Sequence, residues 1–412
     1  MKPKQKTLLS VLIMILMFIP GISVFAENET EEEIFTSGDY SYTVRNGGAT
    51  LVNYTNFTET VVTIPHEIDG YPVKALGENL FFTVSETDPT ISKVAAEKFI
   101  IPASVEEVGA FVFYGCVNVK EFEVAEDSTV LCDVDGVIFD KDKTIVIAYP
   151  IASGATEYTV PSGVTYIDYG AFANCNTLEK VIFPNTLVSI GQWAFARCSN
   201  LKELSLPEYI DTIEKYAFAY CTGLTDIKWS ESLIKLERGA FGACTSLTEL
   251  TFPESLSEIG QGAFSECTSL TKVTLPEDLD ILNEGAFSGC TSLNEIELPS
   301  KLVTLGEKAV GFNYNMSKEL VKNVNFKIYG KTGSLAETYA IENEFTFIST
   351  GAVENQESND SDESKAETKT SFLNSEGDGK GVPKTLVLVL SVAGLAVAAG
   401  IIAVAVSKKK KS

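Results

Sequence analysis

Eight cysteines and one histidine are the residues of this 412-residue chain with the widest chemical range. A thiolate can attack a carbonyl, close a disulfide or bind a soft metal. Spacing decides among these roles. Cys175, Cys198, Cys221, Cys244, Cys267 and Cys290 follow one another at intervals of 23 residues. Zinc sites draw ligands in pairs from a Cys-x-x-Cys turn, and the chain contains none. The base that a thiol or hydroxyl nucleophile needs would have to be His66, which lies between Pro65 and Glu67 and reads as a surface turn. Asn46-Gly-Gly-Ala49 and the glycines at 379 and 381 lack the strand-to-helix setting of a phosphate loop. Asp360 to Ser364 lacks the turn glycine and the final bidentate Glu of a calcium loop. Carboxylates are spread too evenly for any two to stand out as an acid and base couple. The expectation is a protein without catalytic residues, metal or cofactor, and so not an enzyme.

The periodic thiols keep two readings. An even count in an exported chain suggests disulfides, and stacked rungs about 5 Å apart bring neighbouring cysteines within bridging range. One small side chain at a fixed slot, followed by a polar pair and an apolar residue, also describes an internal column of buried thiols, which is the preferred reading.

The elements that would hold such a column share its period. Cys244-Thr-Ser-Leu-Thr-Glu-Leu-Thr-Phe-Pro253 returns as Cys267-Thr-Ser-Leu-Thr-Lys-Val-Thr-Leu-Pro276 and as Cys290-Thr-Ser-Leu-Asn-Glu-Ile-Glu-Leu-Pro299. Between each Pro and the next Cys lies a second signature, as in Ile190-Gly-Gln-Trp-Ala-Phe195 and Ile259-Gly-Gln-Gly-Ala-Phe264. A unit of this length cannot bury its apolar side alone and must stack on copies of itself. Leu250 and Phe252 are two apart and share the inner face of a strand, Glu249 and Thr251 share the outer face, and Pro253 ends the strand by removing a donor. Leu256, Ile259 and Phe264 line the return side, where the run from Gly262 to Ser265 is short and a poor helix. The predicted fold is a leucine-rich-repeat-like repeat solenoid, β-dominated, with a parallel sheet of short strands and short helical or irregular return segments. Roughly eleven rungs are expected, spaced about 4.8 Å apart.

The rest of the chain divides by composition. Residues 1–26 read as a signal peptide, with a basic start and an apolar run ahead of Ala26, and 27–39 as an acidic disordered start. The solenoid is placed at 40–348, with insertions near 85–97 and 126–157. The second contains Cys132 and two alternating apolar runs in 135–149 around a polar turn, a β-hairpin expected to bud from the solenoid. Val310 and Asn313 break the pattern and mark a C-terminal cap, with a short helix in 334–344. Residues 349–384 read as an acidic disordered stalk, 385–406 as a transmembrane helix and 407–412 as a basic cytoplasmic tail.

Formal charge is -24, and about -31 once the seven lysines of the two end segments are set aside, which argues against nucleic acid and anionic membrane surfaces as partners. The partner class that remains is an extracellular protein or glycan, with the bilayer met through the C-terminal helix. At the 23-residue period the outward strand slots are Lys180, Glu203, Asp226, Glu249, Lys272 and Glu295 in one row, and Ile182, Ser205, Lys228, Thr251, Thr274 and Glu297 in the other. Their variety over a constant apolar inner row makes them the candidate binding face. Trp193, Tyr216 and Tyr220 lie on the opposite side in slots otherwise small or polar, and form the runner-up, an aromatic patch of the kind that anchors interfaces.

The pattern Cys-x-x-Leu-x-x-Val/Ile/Leu-x-Leu/Phe-Pro-x-x-Leu-x-x-Ile-Gly-x-x-Ala-Phe closely resembles the BspA-like leucine-rich repeat family of bacterial surface proteins, over about residues 40 to 348. Ser230 for Pro, Val84 and Asn313 for Cys, and Val310 for Phe depart from it. The resemblance implies a surface adhesin for host matrix or plasma proteins or for other microbes, and carries over no ligand residue. Val382-Pro-Lys-Thr385, the apolar run and Lys408 to Lys411 resemble a Gram-positive wall-sorting signal, except that Leu386 stands where that signal has Gly. Membrane retention is therefore expected, with wall linkage as the alternative.

Overall fold

A computed structural model describes residues 33–82 and 92–352. The readings of a signal peptide, stalk, membrane helix and basic tail lie outside the described residues, except for the acidic start and stalk at their margins. Among the described residues no helix is long and apolar enough to cross a membrane.

The described residues form a β-solenoid of about 13 turns with mostly parallel strands. Each regular turn makes one three-residue strand. Glu157–Thr159, Lys180–Ile182, Glu203–Ser205 and Asp226–Lys228 pair in parallel, as do Glu249–Thr251 with Lys272–Thr274 and Glu295–Glu297 with Lys327–Thr332. The return side is irregular around each Ala-Phe pair, as expected, and adds a second parallel column ahead of it. Its strands are two residues long, from Tyr166–Ile167 through Ser189–Ile190 and Thr212–Ile213 to Thr304–Leu305. Two residues are enough because the repeat places a hydrogen-bonded Ile or Leu at this slot in every turn, for example Ile190 against Ile213.

Between the columns lies an aromatic spine. Phe195, Phe218, Phe241, Phe264 and Phe287 stack at 5.2–5.5 Å between ring centroids, within a few degrees of parallel. The residue before each is Ala, whose small side chain lets turns approach, and the two together are almost wholly buried. The turn around them uses left-handed backbone at two slots. Gly170, Trp193, Tyr216, Gly239, Gly262 and Gly285 occupy one, and Asn174, Arg197, Tyr220, Ala243, Glu266 and Gly289 the other. Glycine suits the first slot because a Cβ there is disfavoured.

The hairpin does not bud away. Val137–Asp140 and Ile145–Ala148 are antiparallel, preceded by Leu131–Val134, and Ile145–Ala148 then pairs in parallel with Tyr166–Ile167. The meander thus becomes the first strands of the ten-stranded return sheet. Its two faces close two separate cores, because neighbouring strand residues point in opposite directions. Ile138 and Ala148 belong to the core built from Tyr40 onward, whereas Phe139 and Val146 belong to the one that continues to Phe345. Tyr149 stacks on Phe172 at 4.7 Å and so fills the Phe slot of a turn that lacks a cysteine.

At the N-terminus, Phe35–Ser37, Tyr40–Arg45 and Gly48–Tyr54 form an antiparallel meander that hands over to the parallel strand Tyr71–Leu76. At the C-terminus, helix Leu335–Glu342 lays Ala336, Tyr339 and Ala340 on the core, and the Tyr339 hydroxyl donates to the Val310 carbonyl at 2.9 Å. The expected cap is therefore present, with the hairpin Phe312–Tyr314 and Leu320–Lys322 where the Cys slot would fall.

Candidate binding surface

The strands bring the first candidate row together. Lys180 lies opposite Glu203, and Glu203 opposite Asp226, while Glu249 lies opposite Lys272. Between these outward residues Val181, Leu204, Leu250, Val273 and Ile296 are buried, as the two-residue alternation requires. Glu203, Asp226, Glu249, Lys272 and Glu295 are exposed, as are Ser205, Lys228, Thr251 and Thr274 of the second row; Lys180 is half-buried. Ile182 and Glu297 complete that row in the open as well.

Some of this charge is already partnered. The Lys180 Nζ lies 2.6 Å from Glu203 Oε1, which holds the Lys180 ammonium above its ordinary range through that hydrogen bond. Lys327 lies 3.8 Å from Glu295. One column over, Lys202 reaches Glu179 at 2.5 Å, and further back Lys98 meets both Glu121 and Glu123 at 2.7 Å. Exposed pairs of this kind add little to stability, but they align one rung on the next. Asp226, Glu249 and Lys272 make no ion pair among the described residues.

The aromatic patch is built from two contacts. Trp193 stacks on Tyr216 at 4.4 Å, and the Tyr216 ring covers Gly239, where an added Cβ would sit 2.4 Å from it. Arg197 lies 4.6 Å over the ring of Tyr220, a cation–π contact. Trp193 and Tyr216 are half-buried by this packing and Tyr220 is 43% exposed. Sequence reading could not see that these rings share two left-handed slots, which turns each one along the turn edge and over its neighbour.

All eight cysteines are unbridged, and the seven in turn slots are buried. They do more than fill a column. The thiols of Cys198, Cys221, Cys244, Cys267 and Cys290 each donate to the carbonyl of the Phe 26 residues earlier, at 3.2–3.3 Å. Burial pushes Cys221 and Cys267 up to about 12 and Cys175 to about 11, which keeps these three thiols protonated near neutral pH. Burial likewise raises the carboxyls of Asp168 and Glu214, the latter also through Glu237; they lie in separate turns, and Glu214 Oε1 accepts the Ser189 hydroxyl at 3.2 Å. His66 is exposed on its turn. Among the described residues no group of His, Cys, Asp or Glu side chains is arranged to hold a metal.

Parallel strands at a 23-residue period, an apolar column and a Phe spine define a leucine-rich-repeat solenoid. The model of the BspA-type leucine-rich repeat region matches in six copies over residues 90–139, 152–244 and 211–332. These spans cover more than half of the chain, which belongs to that family. Among solved structures, a leucine-rich repeat protein from Eubacterium ventriosum is 19% identical, with 66% of this chain and 92% of that one covered at a TM-score of 0.51. A leucine-rich repeat protein from Bacteroides ovatus is 21% identical over 78% of this chain and 100% of its own, at a TM-score of 0.33. A leucine rich cell surface protein from Faecalibacterium prausnitzii is 22% identical over 66% and 90%, at 0.30. These likenesses bear on fold alone. No curated protein matches the sequence significantly.

Proposed function

We propose that this chain is a cell-surface binding module without enzymatic activity, whose strand face takes an extracellular protein or glycan in adhesion to a host or microbial surface. One observation carries the reading. The outward residues from Lys180 to Glu295 form an exposed row that changes chemistry from rung to rung, above an inner row that stays apolar. A surface under structural constraint alone has no need of that variety. The C-terminal apolar run and its lysines would hold the module in the membrane with the repeats outside, and wall linkage through Thr385 is the alternative.

A second reading, a spacer without a ligand, draws on the ion pairs. Lys180 with Glu203 and Lys327 with Glu295 spend part of the row on joining rungs. Pull-down from matrix proteins, plasma and a glycan array with residues 27–350 separates the two. A saturable partner supports binding, and capture of nothing in any of the three supports the spacer.

A further inference from the structure

All but one of the strands at the outer edges of the described sheets are four residues long or shorter. The exception is Thr346–Ala352, of seven residues, which pairs in parallel with Lys327–Thr332 on one side and with no strand of the described residues on the other. Open edges are usually blunted by brevity, by charge, by proline or by a covering element, because unpaired main-chain groups in ladder register are a template for another strand. The last return strand, Thr304–Leu305, keeps to two residues and meets helix Leu335–Glu342. Thr346–Ala352 is long, and from Phe345 to Ala352 it carries no charge and no proline in a chain of formal charge -24. A bulge sets in only after Ser349, so Thr346 to Ser349 form a straight edge.

The side chains at this end are equally unusual. Terminal turns of a solenoid need a polar outer face to stay soluble. Here Val303, Met316, Val324 and Ile341 are each at least 69% exposed, and no other large apolar side chain of the described residues exceeds 60%. All four belong to the last regular turn or to the cap that follows it. Val303 shows the cause. Val188 and Ile234 occupy the same slot of the repeat at 51% and 50%, and Val303 rises to 73% because no further regular turn covers it.

We propose that Thr346–Ala352 and the apolar side chains of the cap form an interface with a second copy of this chain, in which the two copies of the edge pair antiparallel about a twofold axis. A lipid surface would cover the side chains but leave the main-chain groups of the edge without partners, whereas a second edge satisfies both. Charge points to the same occupant, since two chains this acidic approach most easily where neither carries charge. The stretch also matches itself, as a twofold contact requires. An axis through Ile348 sets Thr346 opposite Thr350, Phe347 opposite Ser349 and Ile348 opposite its own copy, and so joins β-branched and aromatic side chains with no like charges face to face. This interface makes no use of the outward rows from Lys180 to Glu295 and stands or falls without them.

The test is sedimentation velocity of the full-length chain in detergent over a range of concentrations, with amide hydrogen exchange at the lowest and the highest. The native chain should pass from monomer to dimer, and exchange within residues 346–349 should slow by about tenfold or more as it does so. Thr346→Lys with Thr350→Lys should weaken the dimer by about tenfold or more, because the axis brings the lysines face to face, and Thr346→Glu with Thr350→Glu should do the same. Mixing the lysine and glutamate variants should restore dimerisation as a heterodimer, which a folding defect in either variant cannot do. A native chain that stays monomeric overturns the proposal, as does a dimer indifferent to the lysine pair, such as one held by the C-terminal apolar run, or the absence of a heterodimer on mixing. Exchange at 346–349 that is slow at every concentration would assign the edge to the chain's own following residues and overturn it as well.

Discussion

The thiol of Cys244 points one turn back and donates to the carbonyl oxygen of Phe218, 3.3 Å away, while that same oxygen accepts the backbone N–H of Cys221 at 3.3 Å. Each cysteine thus satisfies the second lone pair of a buried carbonyl that the turn leaves half used. Cys244→Ser retains a donor and should be nearly neutral, whereas Cys244→Ala, which removes it, should cost about 1–2 kcal/mol. Phe241→Ala opens a cavity in the spine and should cost about 3–5 kcal/mol. Denaturant unfolding of the three variants checks the order, and a native Cys221–Cys244 disulfide in mass spectrometry would refute the basis for it.

The buried thiols also set a pH limit. Their folded pKa values are raised, to about 12 for Cys221 and Cys267 against a reference of 9.0, so the folded state resists ionisation that the unfolded chain allows. Their contribution is complete below pH 9.0 and is lost as pH rises through about 12. The urea midpoint should therefore fall across that window. Cys221→Ser with Cys267→Ser should flatten the fall, because serine does not ionise there.

How much of this was legible beforehand differs from element to element. The 23-residue spacing of Cys175 to Cys290 leads directly to the rungs, and the alternation at Leu250 and Phe252 leads to the inner and outer faces. The return sheet escaped because its strands, such as Thr212–Ile213, are too short to show any alternation. Ala148-Tyr149 also escaped, although it stands 23 residues before Ala171-Phe172. Tyr replaces Phe and Ala152 replaces Cys, so both markers of the repeat are absent from a turn that still stacks. The candidate row was readable as positions, since register follows from the period. Its internal pairing, Lys180 with Glu203, was not, because ion pairs depend on rotamers rather than spacing.

Tyr149 joins the spine of the long core to the hairpin whose other face closes the short one. Tyr149→Ala should cost about 3–5 kcal/mol and split thermal unfolding into two transitions, as the two cores lose their common wall. Tyr149→Phe keeps the ring and loses only the contact to Ser153 at 3.1 Å, so a single transition should remain.

Gly239 lies in a left-handed slot under the ring of Tyr216, so Gly239→Ala suffers from both φ and contact. It should destabilise by about 1–3 kcal/mol in the native background. In a Tyr216→Gly background the contact penalty vanishes, and the difference between the two costs should reach about 0.5 kcal/mol or more. A double-mutant cycle by urea unfolding measures it, and strict additivity would show that the ring does not rest on Gly239.

The central claim, that the strand face is the binding face, is met most directly by adhesion of beads coated with the chain to matrix proteins and cells. Glu203→Lys, Asp226→Lys and Glu249→Lys together should abolish most of the adhesion shown by the native chain, with the solenoid still folded by circular dichroism, while Trp193→Ala, Tyr216→Ala and Tyr220→Ala together should leave it largely intact. Full adhesion by the charge-reversed variant, or its loss in the aromatic variant alone, would contradict the account, and no adhesion by the native chain would leave the spacer reading in its place.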